Sequence, residues 1–286
     1  MTTTGLKLLA LFLMTIDHIA EFNLSAPYWF RWIGRLSAPI FVFCSAIGFS
    51  YTRNRKIYIL RMYLLSCIME ILNAILNTRY DFVYISNNIF STLLPSCIII
   101  FIIDTLHADF QKGIRYAVSF VLEQIIGTTI TILLNIYSEP MYFEIFSALS
   151  INVFFNEAGI LFVFLFILLY YNRNYKHKLA FIYTIFSIIY AILYSTNTIS
   201  YMLIKLNSLH LNKLYNIINF TMQLLQVNTL PIFGMRWFSI VNYYWMVIFS
   251  LPFILLYNGK RGRGYKYFFY IYYPLHIYFL YFIFMQ

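Results

Sequence analysis

The chain has 286 residues, of which 62% are hydrophobic, 21% aromatic and only 10% charged. Charged residues make up roughly a quarter of an ordinary soluble domain, and even a large soluble domain buries only about 75% of its unfolded surface. The composition therefore excludes a soluble enzyme, a disordered protein and a disulfide scaffold. The apolar runs are continuous and do not alternate, which excludes an outer-membrane barrel. What remains is an all-α polytopic integral membrane helical bundle.

The net charge is +10, from 20 Lys and Arg residues against 10 Asp and Glu residues. In a soluble protein this excess would suggest nucleic-acid binding. Here the basic residues lie mostly in short loops between apolar runs, so we attribute them to the positive-inside rule and expect no nucleic-acid partner. Three cysteines lie inside apolar stretches without disulfide or metal spacing, and we interpret them as packing residues: Cys44, Cys67 and Cys97.

Apolar runs follow one another along the whole chain. They begin near Leu6, Trp29, Ile57, Phe82, Ile114, Phe143, Leu179, Leu214, Ile240 and Tyr267. A span needs about 20 residues, and nine of the runs are clear spans. The run over residues 214–238 contains several amides, Pro231 and Gly234, which is typical of an amphipathic, broken or re-entrant helix. We expect about 9–10 transmembrane helices in a single membrane-embedded domain over residues 1–286.

Clusters of basic residues predict the orientation of the spans. They lie at residues 53–56, 173–178 and 260–266. All three loops can be cytoplasmic if the N-terminus is cytoplasmic and the 214–238 run does not cross, or if one nearby span is miscounted. We therefore expect nine crossings plus one partial helix in the cytoplasmic (inner) membrane. The N-terminal run has no A-x-A cleavage site, so we expect it to be a retained helix.

Ionisable residues inside apolar runs mark candidate functional positions, because a charge at the centre of a span costs about 2.5–3.5 kcal/mol. Asp17 and His18 lie in the first run, and Arg35 in the second run is the obvious partner for Asp17. His276 lies in the last run, where Pro274 removes a backbone donor. A structural ion pair and hydrogen-bonded packing histidines are the alternatives. Two intramembrane histidines favour a shared polar cavity.

Three glutamates also lie within apolar runs. Glu157 interrupts the sixth run and either lines the cavity or caps a helix break, whereas Glu70 and Glu123 have no obvious partner in the sequence. The chain contains no HExxH, GxSxG or Walker A motif and no Cys-His cluster, so we expect no metal. Three further histidines fall in predicted loops and should be solvated: His107, His177 and His210.

Several blocks resemble the TraX family, the conjugal pilin acetylases. Residues 33–43 read IGRLSAPIFVF, similar to the family's IGRLAFPIFAF, and the flanking blocks are 8–19, 48–61, 88–93, 256–262 and 269–276. The last two read LYNGKRG and FYIYYPLH, close to the family's LYNGKRG and FYIFYPLH. Ala38 stands where the family usually has an aromatic residue. The resemblance spans the chain in order and is weakest over residues 104–232.

The resemblance implies an acyl-CoA-dependent acyltransferase that uses cytoplasmic acetyl-CoA as its donor. The acceptor would be an amine of a peptide or pilin N-terminus, or a hydroxyl, at the membrane. Such transfer needs a base, an oxyanion stabiliser and cations for the phosphates of the coenzyme. His18 or His276 can be the base, and Arg35 can stabilise the oxyanion or hold Asp17.

The residues expected to bind the coenzyme lie in two polar segments near membrane spans, and the glycines of the second allow close approach of backbone N–H groups to a phosphate. These residues are Arg53, Arg55, Lys56, Arg61, Asn258, Lys260 and Arg261. The same cations could simply set topology or contact lipid. The competing function is a membrane transporter or flippase with a polar site at mid-membrane, and a third is a structural partner within a secretion complex.

Overall fold

The computed structural model describes residues 1–23, 25–79, 84–138, 140–231 and 243–284. Within these ranges the regular secondary structure is entirely helical, which confirms the all-α class. The helices are α1 (Thr3–Phe22), α2 (Trp29–Gly34), α3 (Ser37–Ser50), α4 (Arg55–Arg79), α5 (Ile89–Ala108), α6 (Phe110–Tyr137), α7 (Pro140–Leu149), α8 (Gly159–Asn172), α9 (Lys176–Ser195), α10 (Thr198–Ser208), α11 (Asn212–Leu224), a 3₁₀ helix (Tyr244–Ser250), α12 (Leu251–Leu255) and α13 (Lys266–Phe284).

Six helical stretches in the described part are long and apolar enough to cross a membrane, so the chain is a polytopic helical membrane protein. They are Trp29–Ser50, Arg55–Arg79, Ile89–Ala108, Phe110–Tyr137, Lys176–Ser195 and Tyr267–Phe284. Helix α1 has 20 residues but is not among the six. The nine or ten spans expected are not reached in the described ranges, because some apolar runs form helices of only 10–14 residues, too short for a span.

One of these short helices, α11, covers the first half of the amide-rich run over residues 214–238. Helix α11 ends at Leu224 after 13 residues, and a turn follows. Such a helix is about 20 Å long, less than the hydrocarbon thickness of about 30 Å. Within the described residues this run forms a short helix that ends at Leu224, and residues 232–238 lie outside the described residues, so the expectation that the run does not cross stays a prediction.

The first of two compact units contains Met1–Cys44, Tyr171–Tyr265 and Phe279–Phe284. In it α1 packs on α2, α9 packs on the 3₁₀ helix and α12, and α10 packs on α9 and α11. The fully buried Tyr183 hydroxyl donates to the carbonyl of Val247 at 2.9 Å, and the N–H of Trp245 donates to Ser195 Oγ at 3.0 Å. These bonds join α9 to the 3₁₀ helix.

The second unit contains Ser45–Tyr170 and Lys266–Tyr278. Here α4 packs on α5 and α7, and α6 packs on the same two helices. The extended chain before α5 is tied to α4 by Asn77, whose amide accepts from the N–H of Ile85 and donates to its carbonyl, both at 2.8 Å. The side chain of Asn88 caps α5 by accepting from the N–H of Ser91 at 3.3 Å.

Candidate active site

In the first unit, two guanidinium groups face two carboxylates where α1 packs on α2. Asp17 and Glu21 lie four residues apart on α1, and Arg31 and Arg35 lie four residues apart on α2 and directly after it. Residues with this spacing lie on the same face of a helix. The four side chains are only 12–23% exposed, so the cluster is largely withdrawn from solvent.

Asp17 is the centre of the cluster. Its Oδ2 lies 3.1 Å from Nη2 of Arg35, and its Oδ1 lies 3.2 Å from Nη1 of Arg31. The same Nη1 also lies 3.4 Å from Glu21 Oε2 and donates to the carbonyl of Asp17 at 3.2 Å. The predicted pairing of Asp17 with Arg35 is therefore present. Arg31 and Glu21 are further members that the sequence analysis missed, although their four-residue spacing from Arg35 and Asp17 was a usable signal.

Two tyrosines at the beginning of the 3₁₀ helix lie over the guanidinium groups. Arg31 Nε donates to the hydroxyl of Tyr243 at 3.0 Å. The guanidinium carbon of Arg35 lies 5.1 Å from the ring centre of Tyr243 and 5.6 Å from that of Tyr244. Aromatic faces attract cations at such distances. Arg35 is therefore held by a carboxylate and by two rings that come from a segment about two hundred residues later.

One polar group of Arg35 is not used in these contacts. Its Nε–H is buried and has no hydrogen-bond partner among the described residues. A buried donor without a partner costs free energy, so this group calls for an explanation, and a catalytic role is one of the usual ones. The guanidinium can hold Asp17 through Nη2 while Nε–H remains available to another acceptor.

His18 lies beside this cluster and is 6% exposed. Its Nε2 is 3.9 Å from Glu21 Oε2, and its ring lies 6.4 Å from that of Phe22. The structure therefore brings Asp17, His18 and Arg35 together in one unit. The three histidines that were predicted to be solvated are exposed.

His276 lies in the second unit, on α13, and is also 6% exposed. Its Nδ1 is 2.9 Å from the carbonyl of Tyr272, and its ring stacks on that of Tyr272 at 5.1 Å with an interplanar angle of 14°. A carbonyl can only accept, so Nδ1 carries the proton and a neutral ring has its lone pair on Nε2. The Tyr273 ring meets the imidazole nearly edge-on at 5.8 Å.

The hydroxyl of Tyr273 connects the beginning of α5 to Glu157 by two hydrogen bonds. The Tyr273 hydroxyl accepts from the N–H of Ile89 at 3.0 Å and donates to Glu157 Oε2 at 3.2 Å. Nearby, Asn88 Nδ2 donates to Glu70 Oε1 at 2.9 Å. Glu70, which the sequence left without a partner, is therefore tied to the cap of α5.

Glu123 also has a partner. Its Oε1 accepts from the N–H of Ile151 at 2.9 Å, while Oε1 of the neighbouring Gln124 accepts from the N–H of Val153 at 2.8 Å. These bonds hold the non-helical stretch before α8 against α6. Within the described ranges, no group of three or more His, Cys, Asp or Glu side chains is arranged to hold a metal ion.

Basic residues at the start of α4 line an open cavity of about 570 Å³ in the second unit, together with Asn54 and Phe101. Arg53 and Lys56 are exposed there, whereas Arg55 is paired with Asp104 and donates to Tyr170 at 2.9 Å. The charge of Arg55 is thus already offset by a carboxylate. Arg61, one turn further along α4, is exposed and does not line this cavity.

The glycine-rich basic loop before α13 is bonded to the beginning of the chain, within the first unit. The N–H groups of Thr3 and Thr4 donate to the carbonyls of Lys260 and Arg261 at 2.9 and 3.1 Å. The N–H of Asn258 donates to the carbonyl of Met1 at 2.9 Å, and the N–H of Lys260 donates to Asn258 Oδ1 at 3.0 Å. We expected N–H groups of this loop to approach a phosphate, but these two are bonded within the protein. The side chains of Asn258, Lys260 and Arg261 are exposed.

The predicted residues thus fall into two sets. Asp17, His18, Arg35 and the loop residues Asn258, Lys260 and Arg261 belong to the first unit, and His276 and the four basic residues of the α4 region belong to the second.

Comparison with known proteins gives a family. The model of the family described as TraX protein matches residues 3–284 of the 286. No curated protein and no solved structure matches the chain.

Proposed function

The chain belongs to the TraX family, and from that premise we propose that it is an integral membrane acetyltransferase. It moves an acetyl group from cytoplasmic acetyl-CoA to an acceptor amine, such as a peptide or pilin N-terminus, or to a hydroxyl at the membrane. The observation that carries the proposal is the buried cluster in which His18 and the Asp17–Arg35 pair lie side by side. Buried ionisable groups are costly, so such a cluster favours a chemical role.

In this reaction the acceptor nitrogen or oxygen attacks the thioester carbonyl carbon, and the carbonyl oxygen becomes an oxyanion. A histidine takes the proton that the acceptor loses. The C–S bond then breaks, and the proton passes to the coenzyme thiolate, which leaves as the free thiol. An imidazole suits this exchange because it gains and loses a proton near neutral pH. His18 and His276 are both candidates, and in a neutral His276 that donates from Nδ1 to the carbonyl of Tyr272, Nε2 would carry the lone pair that a base needs.

Arg35 is proposed to serve both purposes that the sequence suggested. Its Nη2 holds Asp17 at 3.1 Å. Its buried Nε–H, which has no partner among the described residues, would donate to the oxyanion. A preorganised donor of this kind is among the largest contributions to acyl transfer, with a loss of about 10²–10³-fold in kcat when one is removed.

For the donor, we propose that the cavity beside Arg53 and Lys56 receives phosphates of acetyl-CoA, with Asn54 and Phe101 lining it. Its volume of about 570 Å³ falls in the range of about 300–1,000 Å³ that is usual for small-ligand sites. The side chains of Arg61, Asn258, Lys260 and Arg261 are exposed and remain further candidates for phosphate contacts.

We further propose that the protein lies in the cytoplasmic membrane and that its N-terminus is on the cytoplasmic side. The backbone bonds from Thr3 and Thr4 to Lys260 and Arg261 support placing the basic loop on the same side as the N-terminus. An even number of crossings then separates the two segments, and the positive-inside rule assigns that side to the cytoplasm.

The proposed reaction is tested with the purified protein in lipid nanodiscs, acetyl-CoA and synthetic peptides with free or blocked N-termini. Release of the coenzyme thiol that depends on a free N-terminus, with one acetyl group added to the peptide by mass spectrometry, is the expected result. A transporter or flippase would be indifferent to acetyl-CoA. If no amine or hydroxyl acceptor causes release of the coenzyme thiol, the proposal is wrong.

The donor site is tested by replacing its cations. Arg53→Gln and Lys56→Gln should raise the KM for acetyl-CoA and leave kcat nearly unchanged, the pattern of lost uniform binding. With S-acetylpantetheine, which lacks the adenosine phosphates, the variants and the wild type should have the same KM. Lys213→Gln, at an exposed lysine of α11, is the matched control. An equal rise in KM for both donors would place the phosphates elsewhere.

A further inference from the structure

The polar break before α8 is fixed to the first turn of α5. The N–H of Glu157 donates to Ser91 Oγ at 3.2 Å, and the N–H of Ala158 donates to Thr92 Oγ1 at 3.1 Å. The Thr92 hydroxyl in turn donates to Asn156 Oδ1 at 2.7 Å, and both residues are buried. The backbone of Glu157 therefore has a defined position, although its side chain is exposed.

The carboxylate of Glu157 fixes the hydroxyl of Tyr273. A phenol has one proton to donate, and here that proton is directed to Glu157 Oε2 while a lone pair receives the N–H of Ile89. The ring is fixed as well, because it lies 5.2 Å from Phe90 in a T-shaped contact and is only 5% exposed. Tyr273 thus has few alternative orientations while these contacts hold.

The imidazole of His276 lies against both tyrosines of α13. It stacks on Tyr272, bonds the Tyr272 carbonyl and meets the Tyr273 ring at 5.8 Å. A shift of the Tyr273 ring therefore changes the packing on one side of the imidazole. The proposed reaction depends on such geometry, since a displacement of about 1 Å can cost about 10²-fold in rate.

We propose that Glu157 is a positioning residue, which acts through Tyr273 to hold the imidazole of His276 in its working orientation. This inference rests on the proposed function and deepens it. It gives Glu157 a role beside the two that the sequence left open, because its carboxylate accepts from the phenol of Tyr273 on α13, and Tyr273 packs against His276.

Three single variants and one double variant test the role of Glu157. Glu157→Ala removes the acceptor and should lower kcat by about ten- to a hundredfold, with an unchanged KM for acetyl-CoA. Glu157→Gln keeps an acceptor oxygen and should retain most of the activity. Tyr273→Phe should resemble Glu157→Ala, and the double variant should lose no more than the worse single variant, because both changes break one interaction.

The matched control is Glu123→Ala, which removes another carboxylate from the same unit, one that bonds the N–H of Ile151. It should lower the thermal unfolding midpoint and leave kcat near the wild-type value. Equal losses in Glu157→Gln and Glu157→Ala would show a role for the charge itself and overturn the positioning role. A kcat within twofold of wild type in both Glu157→Ala and Tyr273→Phe would do the same.

A second measurement needs no acetyl-CoA. Modification of His276 by diethyl pyrocarbonate, followed by peptide mass spectrometry, should become several-fold faster in Glu157→Ala and Tyr273→Phe but not in Glu157→Gln. This pattern in a protein that is inert towards acetyl-CoA would contradict the proposed function but would still support the positioning of His276 by Glu157 through Tyr273. Unchanged modification in an active protein would contradict the inference alone.

Discussion

Gly34 lies directly against Asp17. A methyl group added at Gly34 would fall 2.6 Å from Oδ1 of Asp17 and closer still to its Cβ and Cγ. The close approach of α1 and α2 at this point allows Asp17 to reach Arg31 and Arg35 together. A glycine between the two arginines is therefore a condition for the charged cluster.

Gly34→Ala should separate the two helices and weaken the cluster. Overpacking of this kind costs about 1–3 kcal/mol, so the thermal unfolding midpoint in detergent should fall and acetyl transfer should fall with it. Gly48→Ala in α3 is the control, because a methyl group there meets nothing within 4 Å and alanine favours a helix over glycine by up to about 1 kcal/mol. Equal midpoints in the two variants would disprove the close-packing argument.

Asp17→Asn should destabilise the protein more than Glu21→Gln. Asp17 lies 3.1 and 3.2 Å from two guanidinium groups, whereas Glu21 lies 3.4 Å from the guanidinium group of Arg31. Removing one partner of a buried pair costs about 3–5 kcal/mol, and partial exposure moves the expected loss towards about 3 kcal/mol or less. Differential scanning fluorimetry of both variants measures the order. A larger loss in Glu21→Gln would show that Asp17 is not the centre of the cluster.

His18→Ala should lose acetyl transfer while the protein remains folded and inserted. A general base contributes about 10²–10⁴-fold, so the variant should lose at least about a hundredfold in kcat. His177→Ala, at an exposed position in the first turn of α9, should be as active as wild type. Retention of more than half the activity in purified His18→Ala would refute its role, and tolerance of both His18→Ala and His276→Ala would favour a purely structural membrane partner.

Gly262→Ala should disturb the contact between the basic loop and the N-terminus. Gly262 has a φ of 79°, which side-chain-bearing residues rarely adopt, and an added methyl group would lie 2.6 Å from Thr2 Oγ1. We expect a lower unfolding midpoint and faster amide hydrogen exchange at Thr3 and Thr4. Gly264→Ala, where a methyl group meets nothing within 4 Å, should leave both unchanged. Slow exchange at Thr3 and Thr4 in Gly262→Ala would contradict this role.

The pairing of Asp17 with Arg35 could be predicted because lipid makes an isolated charge costly, so each implies a partner. The tyrosines that cover Arg35 could not, since Tyr243 and Tyr244 approach through tertiary packing and carry no local signal. For Glu157 the sequence showed a helix break, but it did not show the hydrogen bond that its carboxylate accepts from the phenol of Tyr273. Within the described residues fewer helices reach spanning length than the sequence led us to expect, because hydropathy locates apolar runs but does not show where a helix within a run stops.

The hydrogen bonds between the N-terminus and the basic loop also affect the order in which contacts form during synthesis. The Thr3 hydroxyl and the carbonyl of Lys260 that it bonds are separated by 257 positions in the chain. At a synthesis rate of about 5–20 residues per second, the first helix waits roughly 10–50 s before its partner loop exists. The first turn of α1 can therefore gain these bonds only near the end of translation, so this contact is one of the last to form as the chain is made. A chain that stops before residue 260 cannot form the bonds from Thr3 and Thr4 to the basic loop, so its first helix lacks these contacts.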